Sequence, residues 1–163
     1  MIDIDGKRKY IEFKHVDVEG IGRDAQDGQW GFYAQDGGSH ITISHCRFYN
    51  QQKVNLGIAH VNDLTIQYNQ IGPNGRGGVT YPDGTEMHKI GLGLRNNERV
   101  NIAYNYFRDI SETSYIGVVV TNPGEVAKDW NIHGNIFYDT RSLSGTANSL
   151  LVGIAASETT LSN

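Results

Sequence analysis

Residues 40 to 50 read His-Ile-Thr-Ile-Ser-His-Cys-Arg-Phe-Tyr-Asn, and the pattern of this stretch recurs four more times along the chain. Successive copies lie as little as 23 residues apart, from Ile41 to Leu64, and as much as 36 apart, from Leu64 to Val100. A fixed pattern at such intervals predicts a solenoid, in which each copy forms one coil and neighbouring coils bury each other's apolar face.

Aligning the five copies places their residues in four inward-facing columns. Three columns are apolar in every copy, and the fourth changes from apolar residues to asparagine. Because apolar and polar residues alternate within each copy, as in a half-buried strand, the predicted fold is an all-β solenoid of about five coils. The columns are Ile11, Ile41, Leu64, Val100 and Trp130; Phe13, Ile43, Ile66, Ile102 and Ile132; Val18, Phe48, Ile71, Phe107 and Phe137; and Val16, Cys46, Asn69, Asn105 and Asn135.

The three asparagines of the fourth column predict an internal Asn ladder. A side-chain amide carries both donors and an acceptor, so it can bond an identical amide in the next coil. The column immediately before it predicts an exposed aromatic stack with a structural role. Cys46 and His60 are expected to be buried, His60 as a hydrogen-bonded neutral side chain in an inward column. The stack comprises His15, His45, Tyr68, Tyr104 and Gly134.

A second motif, a glycine between two apolar residues, follows each copy and predicts a further strand. Two interpretations of the glycines are open. They supply a backbone conformation closed to other residues, or they form a smooth strip against which another chain or a sugar lies. The motif comprises Trp30-Gly31-Phe32, Leu56-Gly57-Ile58, Ile90-Gly91-Leu92, Ile116-Gly117-Val118 and Val152-Gly153-Ile154.

The pairing of an Ile-x-Ile-x-x-Asn-x-Ile strand with a Gly-Ile strand resembles the right-handed parallel β-helix repeat of pectate and alginate lyases, polygalacturonases, phage tailspikes and adhesins. The resemblance runs from Tyr10 to about Ala156. It implies a right-handed parallel β-helix. It does not fix a function, because these proteins share the scaffold and differ in the site built on it.

Length, composition and charge limit the number of domains and the kinds of partner that the chain can have. The unbroken repeat predicts one β-helix domain over residues 1–163, complete or part of a longer chain. A net charge of −4 without a basic tract predicts no nucleic-acid partner, and no apolar run is long enough to predict a membrane span. The amino end lacks the features of a signal peptide. An extracellular or cell-surface location is expected from the resemblance, with the signal absent from this sequence.

The long insertions share one corner of the coil, after the third apolar column, and in a solenoid such insertions often flank a binding face. They begin at Gly20, Gly72 and Asp139. Outward residues near this corner alternate arginine with tyrosine, which suits a sugar chain that carries carboxylates, although tyrosines on neighbouring strands also stack for stability alone. The predicted substrate-binding residues are Tyr49, Tyr106, Tyr138 and Asp109.

The resemblance to polysaccharide-degrading β-helices implies β-elimination on an acidic polysaccharide. A cation neutralises the uronate, a base removes a proton and an acid protonates the leaving oxygen. The candidates are Arg47 and Arg108 for neutralisation, Lys53, His88 or Lys89 as the base, and Tyr49 or Tyr106 as the acid. Hydrolysis by Asp109 with Glu112 or Asp139 ranks below elimination, because the aspartate clusters of polygalacturonases are absent.

Asp24 and Asp27 lie three residues apart in the first loop, where they could hold Ca²⁺ or, as a polar turn, simply shape the backbone.

The alternative to a carbohydrate-active protein is a non-catalytic β-helix that stacks end to end into a fibre, adhesin or spike. The apolar columns run into the first and last coils, so partners are expected at both ends, either flanking segments or other copies.

Overall fold

The structure, a computed structural model, describes residues 2–4, 7–20, 30–51, 53–74, 90–110, 114–120, 122–138 and the backbone of 150–156. These residues form three parallel sheets, and the chain visits the sheets in turn. Sheet A contains β1 (Ile2–Ile4), β4 (Trp30–Ala34), β7 (Val54–Ala59), β10 (Ile90–Arg95), β13 (Ser114–Val120) and β16 (Leu150–Ala156). Sheet B contains β2 (Lys9–Lys14), β5 (Ser39–Ser44), β8 (Asn62–Gln67), β11 (Asn97–Ala103) and β14 (Ala127–His133). Sheet C contains β3 (Asp17–Glu19), β6 (Arg47–Tyr49), β9 (Gln70–Ile71), β12 (Tyr106–Arg108) and β15 (Ile136–Tyr138).

Each coil therefore contributes one strand to every sheet, and five coils stack in register before β16 begins the next turn. The fold is a right-handed parallel β-helix of about five coils, as the sequence predicts. The three apolar columns pair strand to strand in the predicted order. Their middle members, such as Ile43, Ile66 and Phe107, are completely buried. The core is thus one continuous stack of apolar side chains along the axis.

The corner between sheets B and C is a tight turn made by one left-handed residue in each coil. These residues have φ angles between 54° and 64°. Their rings stack outside the helix as predicted, most closely parallel for Tyr68 and Tyr104, whose centroids lie 5.3 Å apart at 8°. The turn repeats at the same place in every coil, so it sets a common orientation for all the strands of sheet C. The residues are His15, His45, Tyr68, Tyr104 and Gly134.

The Asn ladder is confirmed. The Asn69 amide donates to Oδ1 of Asn105 at 3.0 Å, and the Asn105 amide donates to Oδ1 of Asn135 at 3.0 Å. Each oxygen also accepts the backbone N–H of the preceding coil, and each amide donates to a backbone carbonyl, Ile66 O in the case of Asn105. The ladder satisfies polar groups that would otherwise be unpaired at a buried corner. Cys46, at the start of the ladder, is buried and donates its N–H to Oδ1 of Asn69.

The glycine strands align differently from the prediction. Gly57 pairs with Tyr33 and Gly93, not with Gly31 and Gly91, so the column runs Tyr33, Gly57, Gly93, Gly117 and Gly153. The predicted alignment of Gly31 and Gly91 with the other glycines is therefore wrong, although Gly57, Gly93, Gly117 and Gly153 do form one column of small residues. The physical reason is that a shift of two residues keeps every side chain on the same face, so alternation alone cannot distinguish the two registers.

The prediction that His60 lies in an inward column is also wrong, because Ile58 is the residue that pairs with Ala34 and Leu94 in that column. His60 lies in the turn after β7, half-buried, with its Nδ1 2.8 Å from the amide nitrogen of Asn96. The same two-residue ambiguity caused this error. The expected hydrogen bond is present, although its donor depends on the imidazole tautomer.

Glycine is required at position 57 because a side chain already fills the space. A Cβ atom there would lie 2.1 Å from Cζ3 of Trp30, whose ring crosses the outside of sheet A beside Tyr33. The φ angle of Gly57 is outside the left-handed region, so its backbone conformation does not demand glycine. A Cβ atom at Gly117 would similarly lie 3.2 Å from Cγ2 of Ile90. The protein's own side chains thus occupy the space beside Gly57 and Gly117.

We expect Gly57→Ala to lower the free energy of unfolding by about 1 to 3 kcal/mol, because the new methyl group displaces the Trp30 ring. In a Trp130→Phe background, the fluorescence of Trp30 should shift to longer wavelength as the ring becomes solvated. Gly93→Ala is the matched control, since its Cβ would make an ordinary 3.5 Å contact with Val54. Equal effects of the two substitutions would contradict the packing argument.

Candidate functional site

The outward side chains of sheet C form the surface that the sequence predicts as a binding face, here called the sheet C face. Strand pairing confirms its two columns. The strands that bear it are short and follow the ladder corner, which fixes their direction. The columns are Asp17, Arg47, Gln70, Tyr106 and Ile136, and beside them Glu19, Tyr49, Arg108 and Tyr138.

The first two coils make the charged part of this face. Arg47 forms a two-pronged ion pair with Asp17, in which Nε lies 2.8 Å from Oδ1. Its guanidinium also lies 5.9 Å from the centroid of the Tyr49 ring. Hydrogen bonding from Arg47 lowers the pKa of Asp17. Desolvation, followed by the nearby Glu19 carboxylate, raises the pKa of Tyr49, so this phenol remains protonated at neutral pH.

Coils four and five make the aromatic part. The rings of Tyr106 and Tyr138 lie 6.4 Å apart and are inclined by 31°. Ile136, the strand partner of Tyr106 in the next coil, is 62% exposed, and Tyr138 is 50% exposed. Arg108 is paired with the buried Asp109, whose Oδ2 lies 3.0 Å from Nε of Arg108. A broad apolar platform with a positioned guanidinium at its edge is thus open to solvent.

The candidate catalytic residues are only partly brought together. Arg47 and Tyr49 are neighbours, whereas Arg108 lies two coils further along the axis. Lys53 is half-buried on the sheet A side, with its Nζ 5.4 Å from the Trp30 ring centroid. His88 and Lys89 lie outside the described residues, as do the proposed hydrolytic partners Glu112 and Asp139 and the calcium candidates Asp24 and Asp27.

Every connection from sheet C to sheet A leaves the same corner, so the three predicted insertions do begin on one side of the solenoid. The insertions themselves fall outside the described residues. Among the residues that the structure does describe, no three His, Cys, Asp or Glu side chains are grouped so that they could hold a metal ion.

A second surface, here called the sheet B trough, is not predicted from the sequence. It encloses about 650 Å³ on the outer side of sheet B. One wall is a column of left-handed residues with φ angles from 54° to 59°, and the floor is polar. The signal in the sequence is the position just before the first apolar column, which is polar or aromatic in every copy. The wall is Tyr10, His40, Asp63, Arg99 and Asp129, and the floor includes Thr42, Thr65, Asn101 and Asn131.

Compared with protein-family models, curated proteins and solved structures, the chain matches none. Nowhere in the described residues is there a helix long and apolar enough to cross a membrane.

Proposed function

We propose that the protein binds an acidic polysaccharide along the sheet C face, as a carbohydrate-active member of the β-helix superfamily that its repeat resembles. The observation that carries this proposal is the half-buried ring of Tyr106 next to the exposed ring of Tyr138, beside the guanidinium of Arg108. Sugar rings pack their apolar faces against aromatic rings, and a guanidinium binds a carboxylate through two parallel hydrogen bonds. We also propose an extracellular or cell-surface location, where such polymers occur.

The ion pairs on this face are compatible with ligand binding. Arg47 is exposed, and an exposed ion pair contributes little to stability, typically about 0 to 1 kcal/mol. A uronate carboxylate can therefore compete for Arg47, while Asp109 holds Arg108 in place from the buried side. The polymer would lie along the axis, with its rings on the tyrosines and its carboxylates toward the arginines.

Cleavage by β-elimination is an extension of this proposal. Arg47 would neutralise the uronate, and its neighbour Tyr49, whose raised pKa keeps the phenol protonated, suits a proton donor. A base is also required. Lys53 lies beside Trp30, and the other two candidates, His88 and Lys89, are outside the described residues. Binding is thus better supported than catalysis, and any Ca²⁺ dependence would rest on Asp24 and Asp27.

Calorimetric titration with polygalacturonate and alginate oligosaccharides tests the proposal. Tyr138→Ala should weaken binding about tenfold, equivalent to about 1.4 kcal/mol. Tyr68→Ala is the control, because Tyr68 is 49% exposed and also stacked, yet lies outside the sheet C face. Ultraviolet absorbance of unsaturated products reports elimination in the same samples. If neither polymer binds, or both substitutions weaken binding equally, the proposal is wrong.

Assembly by end-to-end stacking is a second candidate function, and one observation favours it. Ile132 in the last complete coil is 37% exposed, whereas Ile102, Ile66 and Ile43 in the same column are at most 1% exposed. Phe13 at the other end of this column is also only partly buried. A second copy placed head to tail would continue the column and cover both residues.

Light scattering across a range of protein concentrations tests for stacking. If copies stack, mass should grow with concentration, and Phe13→Asp should abolish the growth by placing a charge at the joint. Lys14→Gln, which also lowers the charge by one unit but at the exposed neighbouring position, is the control. A wild-type protein that remains monomeric throughout would eliminate this function.

A further inference from the structure

The sheet B trough is an elongated surface that spans all five coils. Its wall and floor repeat once per coil, so equivalent groups recur about every 4.8 Å along the axis. Leu64 and Val100 also line it, but each residue is only 1% exposed, so the polar and aromatic side chains around them make its accessible surface. The left-handed residues of the wall recur at the same place in every coil. A periodic, open channel of this kind fits a linear polymer.

We infer that the trough binds a neutral, hydroxyl-rich glycan chain running along the solenoid axis. This site is separate from the sheet C face and prefers a different ligand. Its selectivity follows from charge, hydrogen-bonding groups and one aromatic ring, all on described residues.

Charge disfavours an acidic ligand in the trough. Its described lining contains three carboxylates, those of Glu12, Asp63 and Asp129, against one guanidinium. That guanidinium, on Arg99, is already paired with Asp63, with Nε 2.6 Å from Oδ1 and Nη2 3.1 Å from Oδ2. His40 approaches the same carboxylate, with its Nδ1 3.7 Å from Oδ2. A uronate or phosphate would therefore meet excess negative charge, which a neutral chain avoids.

The floor provides the groups that hydroxyls require. Thr42 and Thr65 are paired neighbours in one column, and Asn101 and Asn131 continue it. Hydroxyl and amide side chains both donate and accept hydrogen bonds, as sugar hydroxyls do. Asn131 is bonded to Asn101 at 3.3 Å, which orients the two amides while leaving them exposed or partly exposed. Ionised carboxylates add strong acceptors for hydroxyl donors.

Tyr10 provides an aromatic platform at the first coil. It is 77% exposed, and its ring is inclined by 38° to that of His40, with centroids 4.6 Å apart. An exposed tyrosine held by a neighbouring ring can stack on the apolar face of a sugar. The trough thus combines a terminal stacking contact with a polar floor.

Titration of the full chain with cellohexaose, mannohexaose and xylohexaose, followed by calorimetry, tests this inference. At least one of these neutral hexasaccharides should bind. Thr65→Arg should then weaken that binding at least tenfold by filling the trough, and Tyr10→Ala should weaken it several-fold. Gln70→Arg introduces the same side chain in the same coil on the sheet C face, and should change the affinity less than twofold.

Three results would overturn the inference. The first is that no neutral hexasaccharide binds. The second is that Thr65→Arg and Gln70→Arg weaken hexasaccharide binding equally, and the third is that Thr65→Arg alone abolishes polygalacturonate binding. Unfolding curves must first show that the variants are folded, which is expected because Tyr10 is exposed and Thr65 is not buried. Failure of the acidic polymer to bind would instead affect only the function proposed for the sheet C face.

Discussion

Asn105→Leu is expected to lower the free energy of unfolding by about 3 kcal/mol, because it leaves several buried groups of neighbouring coils without partners. The Asn105 oxygen accepts both the backbone N–H and the side-chain amide of Asn69, each at 3.0 Å. Its own amide donates to the carbonyl of Ile66 at 2.9 Å. Leucine fills a similar volume but satisfies none of these groups. Urea unfolding followed by circular dichroism measures the loss.

Asn131→Leu is the matched control for the ladder. This asparagine belongs to an exposed pair on sheet B, and the substitution removes one hydrogen bond of 3.3 Å to Asn101. Because water can replace that bond, we expect a change within about 0.5 kcal/mol. If Asn105→Leu proved as mild as this control, the ladder would not be a significant source of stability.

Phe107→Ala is expected to destabilise the protein by about 3 to 5 kcal/mol, because it opens a cavity at the centre of the third apolar column. Phe107 is completely buried. Its ring stacks on Phe137 in the next coil, with centroids 5.0 Å apart, and meets the edge of Tyr115 at 6.5 Å. The strand hydrogen bonds to the coils on both sides keep the surrounding residues from moving into the cavity, so most of the cavity should persist.

The position of the cavity gives this variant a second expected effect. A solenoid is held together by contacts between adjacent coils, so weakening one contact can uncouple the coils on either side. Phe107→Ala should therefore broaden or split the urea transition, with coil five unfolding first. Phe107→Leu keeps most of the volume and should cost less than about 1.5 kcal/mol with a single transition. A sharp, unsplit transition in the alanine variant would contradict the uncoupling.

The core could be predicted from the sequence because its columns repeat. Ile43, Ile66 and Ile102 occupy the same place in successive copies, and a strand period of two directs them to one face. The ladder could be predicted as well, because Asn69, Asn105 and Asn135 share one inward position, where an unpaired amide would be costly. Both features depend only on how the five copies align with one another, and over the repeated stretch that alignment is unambiguous.

The candidate sites were harder to predict because they depend on pairings between side chains. The columns of the sheet C face were predictable, but the ion pair of Arg47 with Asp17 depends on rotamers that a sequence does not specify. The register of Gly57 was ambiguous by two residues, and Trp30 decided it by occupying the space outside the strand. The trough depends on left-handed residues such as Asp63 and Arg99, for which no glycine signals the conformation.

The Asn ladder has a direction, and this bears on how such a chain can change its length. The oxygen of each asparagine accepts a backbone N–H from the coil before it, and the amides of Asn69 and Asn105 each donate to the next asparagine and to a backbone carbonyl. A coil that carries Asn at this position is therefore an interchangeable unit. Duplication of the segment containing Asn105 would insert a further coil whose bonds are satisfied on both sides, whereas duplication of the segment containing Val16 would add a coil without extending the ladder. Tandem gene duplication can thus lengthen this protein from its asparagine-bearing coils without loss of internal hydrogen bonds.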